Sequence, residues 1–170
     1  MKTALALGTF DGLHKGHREV LRLPDGCKKI AVIFPLPPKA LITGKPLALM
    51  LPQDKETALK DLGIDEIFTL DFEKVRSQSP EDFLRLLTDK FSPNLISCGF
   101  NYRFGKNAAG DKNLLEDFCK ERGIALKCSE PVTENGETVS STEIRHFLQS
   151  GETEKANRLL YKPFSYTTEV

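Results

Sequence analysis

The sequence has no surplus of charge of either sign: 24 lysines and arginines balance 24 aspartates and glutamates. A footprint on nucleic acid or anionic lipid needs a basic excess, so neither is expected as a partner and any phosphate binding must be local. No stretch approaches 18 consecutive apolar residues, so no membrane span is expected. The opening MKTALALGTFDG has one lysine and a short apolar run, but glycine, charge and histidine arrive by position 14 and no small-residue cleavage site follows. A secretory leader is therefore not expected. Cysteine is sparse: Cys27, Cys98, Cys119 and Cys128 form no CxxC pair and no repeated ligand spacing. That predicts free thiols in a reducing cytoplasm. Internal repeats and low-complexity tracts are missing as well.

What the sequence does have is alternation of strand-like and helix-like segments. Short apolar runs at Thr3 to Leu7, Ile30 to Phe34, Ile67 to Leu70, Leu95 to Cys98 and Ile124 to Cys128 read as buried strands. Between them, His17 to Leu23 offers about two helical turns before Pro24. Asp54 to Leu62 is a helix closed by Gly63. Ser79, Pro80 and Asp82 open a third helix with Phe83, Leu84, Leu86 and Leu87 on its buried face. Asp111 caps a fourth, which Gly123 stops, and Asn135-Gly136 makes a turn. Residues 40–51 lack clean periodicity and read as a loop with short helical turns. Two short helices, at 142–149 and 152–160, complete the order. This is the pattern of an α/β protein with a parallel sheet of five or six strands and helices on both faces. One folded domain is expected over 1–164, its C-terminal helical part at 142–164, followed by a polar tail at 165–170. The loops at 8–17, 35–45 and 99–110 converge at the carboxyl ends of the strands, where such sheets bind ligands.

The first candidate site is GTFDGLHKGH, Gly8 to His17, between the first strand and the first helix. Gly8, Gly12 and Gly16 permit tight turns and close approach of backbone to ligand. His14 and His17, at a helix N-terminus, can donate to a polyphosphate beside the orphan N–H groups of that helix. The alternative is a glycine-rich surface loop with solvated histidines. Spacing fixes no third metal ligand, and no metal-ligating residue is assigned. The loop is neither a GxGxxG fingerprint nor a P-loop.

Two further motifs stand beside it. One is Gly99-Phe-Asn-Tyr-Arg-Phe-Gly105-Lys with Gly110-Asp111, and the other is Ser140-Ser141-Thr142-x-Ile144-Arg145. Together the three resemble the FAD synthetase (FMN adenylyltransferase) module of the bacterial bifunctional riboflavin kinase/FAD synthetase family, over residue 4 to about residue 164. The resemblance implies a Rossmann-like nucleotidyltransferase fold. It implies transfer of AMP from ATP to the phosphate of FMN, giving FAD and pyrophosphate with magnesium present, and no protein nucleophile. Carried over by position, it puts His14 and His17 against the ATP phosphates, and Thr9 with the loop glycines around the nucleotide. Asn101 and Arg103 then border nucleotide and flavin, an amide for base or ribose and a guanidinium for phosphate. For Arg103 the alternative is a solvated loop charge.

Ser140 and Glu143 also have the spacing of a capping box, which is structural on its own. With Ser141, Thr142 and Arg145 one turn in, it forms an anion pocket suited to the β- and γ-phosphates. Asp11 either helps place magnesium or bonds its own backbone. Phe10, Tyr102 and Phe104 either wall a flavin or adenine ring or belong to the core.

The chain departs from the family pattern at several points. Only six residues separate His17 from Pro24, so the floor beneath the phosphates is smaller or rebuilt. Phe34-Pro35-Leu36-Pro37-Pro38 lacks the acid and histidine of the family's Phe-Asp/Glu-Pro-His-Pro, a change on the FMN side of the pocket. Thr138 and Glu143 stand where basic residues are frequent. The chain ends about where the family continues into a riboflavin kinase barrel, so the resemblance implies no phosphorylation of riboflavin. Alternatives left open are a related nucleotidyltransferase using CTP or another phosphorylated acceptor, a non-catalytic nucleotide- or flavin-binding protein, and a domain excised from a longer chain. The oligomeric state is open.

Overall fold

A computed structural model describes residues 1–44 and 48–164. Its centre is a five-stranded parallel sheet of β1 (Lys2–Leu7), β2 (Cys27–Ile33), β3 (Glu66–Thr69), β4 (Leu95–Gly99) and β5 (Ala125–Ser129), in the order β3-β2-β1-β4-β5. Leu7 is in register with Val32 on one side and Cys98 on the other. The chain winds outward from β1 through β2 to β3, then returns to β4 on the opposite side. Such a reversal opens a crevice beyond the carboxyl ends of the two central strands. The expected α/β architecture is thus present, with five strands in the sheet among the described residues.

The helices are α1 (Lys15–Leu21), α2 (Pro38–Thr43), α3 (Pro52–Asp61), α4 (Phe72–Val75), α5 (Pro80–Phe91), α6 (Lys112–Arg122), α7 (Ser141–Gln149) and α8 (Thr153–Leu159). Strand periodicity sorts the core into two layers. Leu5, Leu7, Ile30, Val32 and Ile96 pack with Phe83, Leu84 and Leu87 of α5 and with Leu115 and Phe118 of α6. Ala4, Ala6, Ala31 and Ile33 face the other way, onto Val20 and Leu21 of α1 and Ala58 and Leu59 of α3. Alanines on that face of β1 let these two helices come close to the sheet. A third cluster joins Leu49 to Val139, Ile144, Ala156, Leu159 and Leu160, seating α7 and α8 beside the first loop.

The caps follow the sequence. Ser79 Oγ accepts from Asp82 N–H at 3.1 Å, Asp111 Oδ1 from Leu114 N–H at 3.0 Å, and Ser140 Oγ from Glu143 N–H at 3.1 Å. Short helical turns were expected at 40–51, and α2 supplies one that starts two residues earlier: Pro38 opens it at its first position and Gly44 closes it in the left-handed region. The short α4 went beyond expectation. Asp71 caps the four residues of α4 through Glu73 N–H. The Asn135-Gly136 turn joins two short antiparallel strands, β6 (Thr133–Glu134) and β7 (Glu137–Thr138). The four cysteines form no disulfide. Among the described residues no helix is long and apolar enough to cross a membrane. The polar tail at 165–170 lies outside the described residues, as do positions 45–47 of the 40–51 loop.

Candidate active site

The loop from Gly8 to His14 leaves β1 at the reversal point. Its left-handed residues are Phe10 (φ 50°), Gly12 (φ 79°) and Leu13 (φ 45°), not the three glycines. Phe10 and Leu13 are fully buried, and their packing holds two side-chain-bearing residues in a region L-residues avoid. Gly8 and Gly16 are needed for space. A Cβ on Gly8 would lie 2.9 Å from the Phe10 ring, and one on Gly16 3.1 Å from the His14 ring.

His14 is the N-cap of α1: its Nδ1 accepts from His17 N–H at 3.3 Å. That leaves the proton of the neutral ring on Nε2. The two imidazoles are stacked, centroids 3.6 Å apart, and the edge of the Phe10 ring meets His17. Burial, followed by Arg18, pushes His14 down to about 4. Burial, followed by His14 itself, holds His17 well below the usual histidine range. Both rings are therefore neutral at pH 7, and His17 Nδ1 is buried without a partner among the described residues.

The floor under this pair is short, since α1 has seven residues, but it is clamped from the sheet. Lys127 Nζ donates to Glu19 O at 2.6 Å and Arg22 O at 2.8 Å, and Ser97 Oγ to Val20 O at 2.7 Å. These bonds satisfy carbonyls that a longer helix would have paired internally.

The Asp11 side chain bonds across the fold, to Leu49 and Arg145. Its carboxylate is buried, accepts from Leu49 N–H at 2.9 and 3.0 Å, and lies 2.6 Å from Arg145 Nη2. Burial raises its pKa, while Leu49 N–H, Arg145 and Lys55 oppose the rise. Ser141 Oγ donates to Asp11 O at 3.3 Å, so the start of α7 is fastened twice to the first loop.

Two neighbouring hollows lie beyond the strand ends. The smaller, about 320 Å³, is bordered by Gly8, Thr9, Phe10, His14, Gly16 and His17, by Asn101, Tyr102 and Arg103, and by Ser140, Ser141 and Thr142. The larger, about 860 Å³, is bordered by apolar groups including Phe34, Ile42, Phe72, Val75, Phe83 and Phe104. The two share Thr9, Phe34, Pro38, Tyr102, Arg103, Ser141 and Thr142 as common wall. Lys39, Arg76, Arg103, Arg145 and His146 line the larger hollow, and no acidic residue among the described ones does.

The three motifs therefore meet, with differences in placement. Arg145 and Phe104 border the larger hollow and not the smaller one, while Asp11 and Gly12 border neither. Gly12 instead packs on Leu160 and Leu49. Phe10 is a core residue whose ring also closes the smaller hollow. Tyr102 and Phe104 stack with centroids 5.7 Å apart. Arg103 is largely exposed, its Nη1 3.9 Å from Asp111.

The model of the FAD synthetase family matches residues 1–143. The chain belongs to the FAD synthetase family. It is 32% identical over 174 residues to a bifunctional riboflavin kinase/FMN adenylyltransferase of Pseudomonas fluorescens, covering 96% of this chain and 56% of that protein. It is 31% identical over 170 residues to a putative bifunctional riboflavin kinase/FMN adenylyltransferase of Geobacillus thermodenitrificans, covering 92% of it. The chain thus spans little more than half of the Pseudomonas relative and most of the Geobacillus one. A solved structure described as a macrolide-efflux protein from Streptococcus pneumoniae matches with TM-score 0.82 at 27% identity, over 96% of this chain and 56% of that one. A pantoate-β-alanine ligase from Francisella tularensis matches with TM-score 0.55 at 15% identity, over 99% of this chain and 82% of that one, a likeness of fold.

Within this family member, sequence reasoning passed over Lys55, Leu49 and the cationic rim of the larger hollow. Lys55 is 1% exposed and donates to three backbone carbonyls. Burial lowers its pKa and Asp11 opposes that. No local motif marks it, because on α3 it stands among charged residues that read as a solvated face.

Proposed function

We propose that the chain is an FMN adenylyltransferase, moving AMP from ATP to the phosphate of FMN and releasing pyrophosphate. The observation that carries this reading is the shared wall. A histidine-lined hollow sized for a nucleotide adjoins a larger apolar hollow with a cationic rim. The pair suits a triphosphate beside a flat, apolar, phosphorylated acceptor.

In the reaction an oxygen of the acceptor phosphate attacks the α-phosphorus, a new P–O bond forms, and the bond to pyrophosphate breaks. The protein's task is positioning and charge stabilisation. His14, through Nε2–H, and His17 line the nucleotide hollow and face the phosphates. Thr9 and the loop backbone, with Gly8 and Gly16 kept free of side chains, admit the nucleotide closely. Ser140, Ser141 and Thr142 bring the N-terminus of α7 to the same wall, where its orphan N–H groups favour an anion. Arg103 on the shared wall and Arg145 on the larger hollow serve the acceptor's phosphate, and Asn101 serves the nucleotide.

Among the described residues no three His, Cys, Asp or Glu side chains gather to hold a metal, and Asp11 is committed to Leu49 and Arg145. Magnesium would enter on the ATP phosphates, as in many nucleotide sites, which ask for no more than one or two protein carboxylates. The reading treats 1–164 as one nucleotidyltransferase domain with its helical part at 142–164. Free thiols and dependence on ATP support a cytoplasmic location.

A second reading, a transferase for another phosphorylated acceptor, is favoured by one observation. The Pro35-Leu36-Pro37-Pro38 segment, without acid or histidine, adjoins the larger hollow at Phe34, Pro37 and Pro38. The test is pyrophosphate release with MgATP and FMN, riboflavin, pantetheine phosphate or no acceptor, products identified by mass. FAD formed only with FMN supports the proposal. Release with another acceptor moves the assignment to it, and binding of ATP without release under any condition overturns catalysis.

A further inference from the structure

Lys55 stands in the first half of α3, 1% exposed, with each hydrogen of its ammonium matched to an acceptor. Nζ lies 2.8 Å from Phe34 O, 3.2 Å from Pro35 O and 3.2 Å from Thr9 O. Those carbonyls come from two different segments. Thr9 belongs to the loop of the histidine hollow, and Phe34-Pro35 follows directly on β2, at the start of the altered proline segment. Thr9 and Phe34 both lie on the wall common to the two hollows.

A compact ammonium with three donors can bind three carbonyls that converge from different directions. A guanidinium is planar and a thioether has no hydrogen to give. The charge that most favours the ammonium is Asp11, itself held by Arg145 and Leu49 N–H. A buried charge so fully bonded is costly to place unless the groups it joins must stay joined.

We infer that Lys55 is a positioning residue for the transfer: by tying Thr9 to Phe34-Pro35 it sets the separation between the nucleotide loop and the acceptor segment. The inference rests on the adenylyltransferase reading. Its chemical consequence is specific, because the two bridged segments meet on the wall between the hollows and the Lys55 bridge controls how they lie relative to each other. Loss of the bridge should leave each substrate bound and separate them from the productive geometry.

The test is Lys55→Met, of similar length and without donors, in the full chain well below its melting temperature. FMN and ATP dissociation constants are measured separately, FMN by quenching of its fluorescence, followed by the single-turnover rate of FAD formation. FMN affinity is also measured with and without a non-hydrolysable ATP analogue. The expected result is that each separate dissociation constant stays within about threefold, the turnover rate falls by about thirtyfold or more, and coupling between the two ligands is lost. Lys55→Arg, which keeps charge but cannot satisfy all three carbonyls, should show the same split at smaller amplitude and decides the matter if Lys55→Met does not fold. A folded variant with wild-type turnover and coupling overturns the inference, as does a loss that tracks only the fraction unfolded. An unmutated chain that makes no FAD overturns instead the functional reading, and the two failures are thereby told apart.

Discussion

Arg145 Nη2 rests 2.6 Å from Asp11 Oδ2, a contact between residues 134 positions apart. It fastens the last of the three motifs to the first. Because Asp11 is almost wholly buried, the ion pair also has a structural role that a phosphate-binding reading of Arg145 leaves out.

Replacing Arg145 with methionine should leave a buried carboxylate without its guanidinium and destabilise the fold by about 3 kcal/mol. The double variant Asp11→Asn/Arg145→Met should recover at least half of that loss. Urea unfolding of the three proteins checks it, and equal losses in the single and double variants would sink the pair as a structural link.

His17→Ala is expected to cut FAD formation by more than about tenfold with the fold intact, since its ring lines the smaller hollow, stacked on His14. Turnover close to that of the unmutated chain would reject a phosphate role.

Acid should weaken the protein through the histidine pair. His14, facing Arg18 and Arg145, is lowered to about 4 in the fold against an ordinary 6.5, and His17, facing His14, Lys55 and Arg145, is also lowered. Between those limits the unfolded chain binds more protons than the native one. Stability is thus fully present above about pH 6.5 and declines as pH falls toward 4. His14→Asn keeps a cap acceptor for His17 N–H but does not titrate. Its loss of stability from pH 7.5 to 5 should be smaller by about 2 kcal/mol, measured by urea titration. An unchanged loss would show that His14 is not the sensor.

Gly16→Ala separates stability from activity. Alanine suits a helix better than glycine, yet its Cβ would stand 3.1 Å from His14 Cε1 and 3.2 Å from Nδ1 and must shift that ring. Helix propensity offsets part of the cost of disturbing that cap, so the melting temperature should fall only slightly while kcat falls about fivefold or more. Unaltered kcat would mean that the ring's position does not matter.

The sheet and its caps were legible because their signals are local. Ser79, Asp111 and Ser140 each cap a helix that begins at the next residue. The placement of Arg145 and the burial of Lys55 were not, because both depend on contacts made across the fold. Asp11 to Arg145 spans 134 positions and Lys55 to Thr9 spans 46, and neither leaves a trace in periodicity. The strained residues of the first loop carried no sequence signal for a related reason. Composition points to glycine for left-handed backbone, whereas at Phe10 and Leu13 the surrounding core enforces it.

The clamp on α1 bears on the order in which the molecule assembles. Seven residues are too few to stay helical alone in water, and the groups that hold their carbonyls lie far along the chain, Lys127 being 108 positions from Glu19 and Ser97 being 77 from Val20. A nascent chain that has not yet paired β5 with β4 has no firm floor beneath its histidines. The histidine side of the smaller hollow therefore takes shape late in folding, although its residues precede both clamps in the chain.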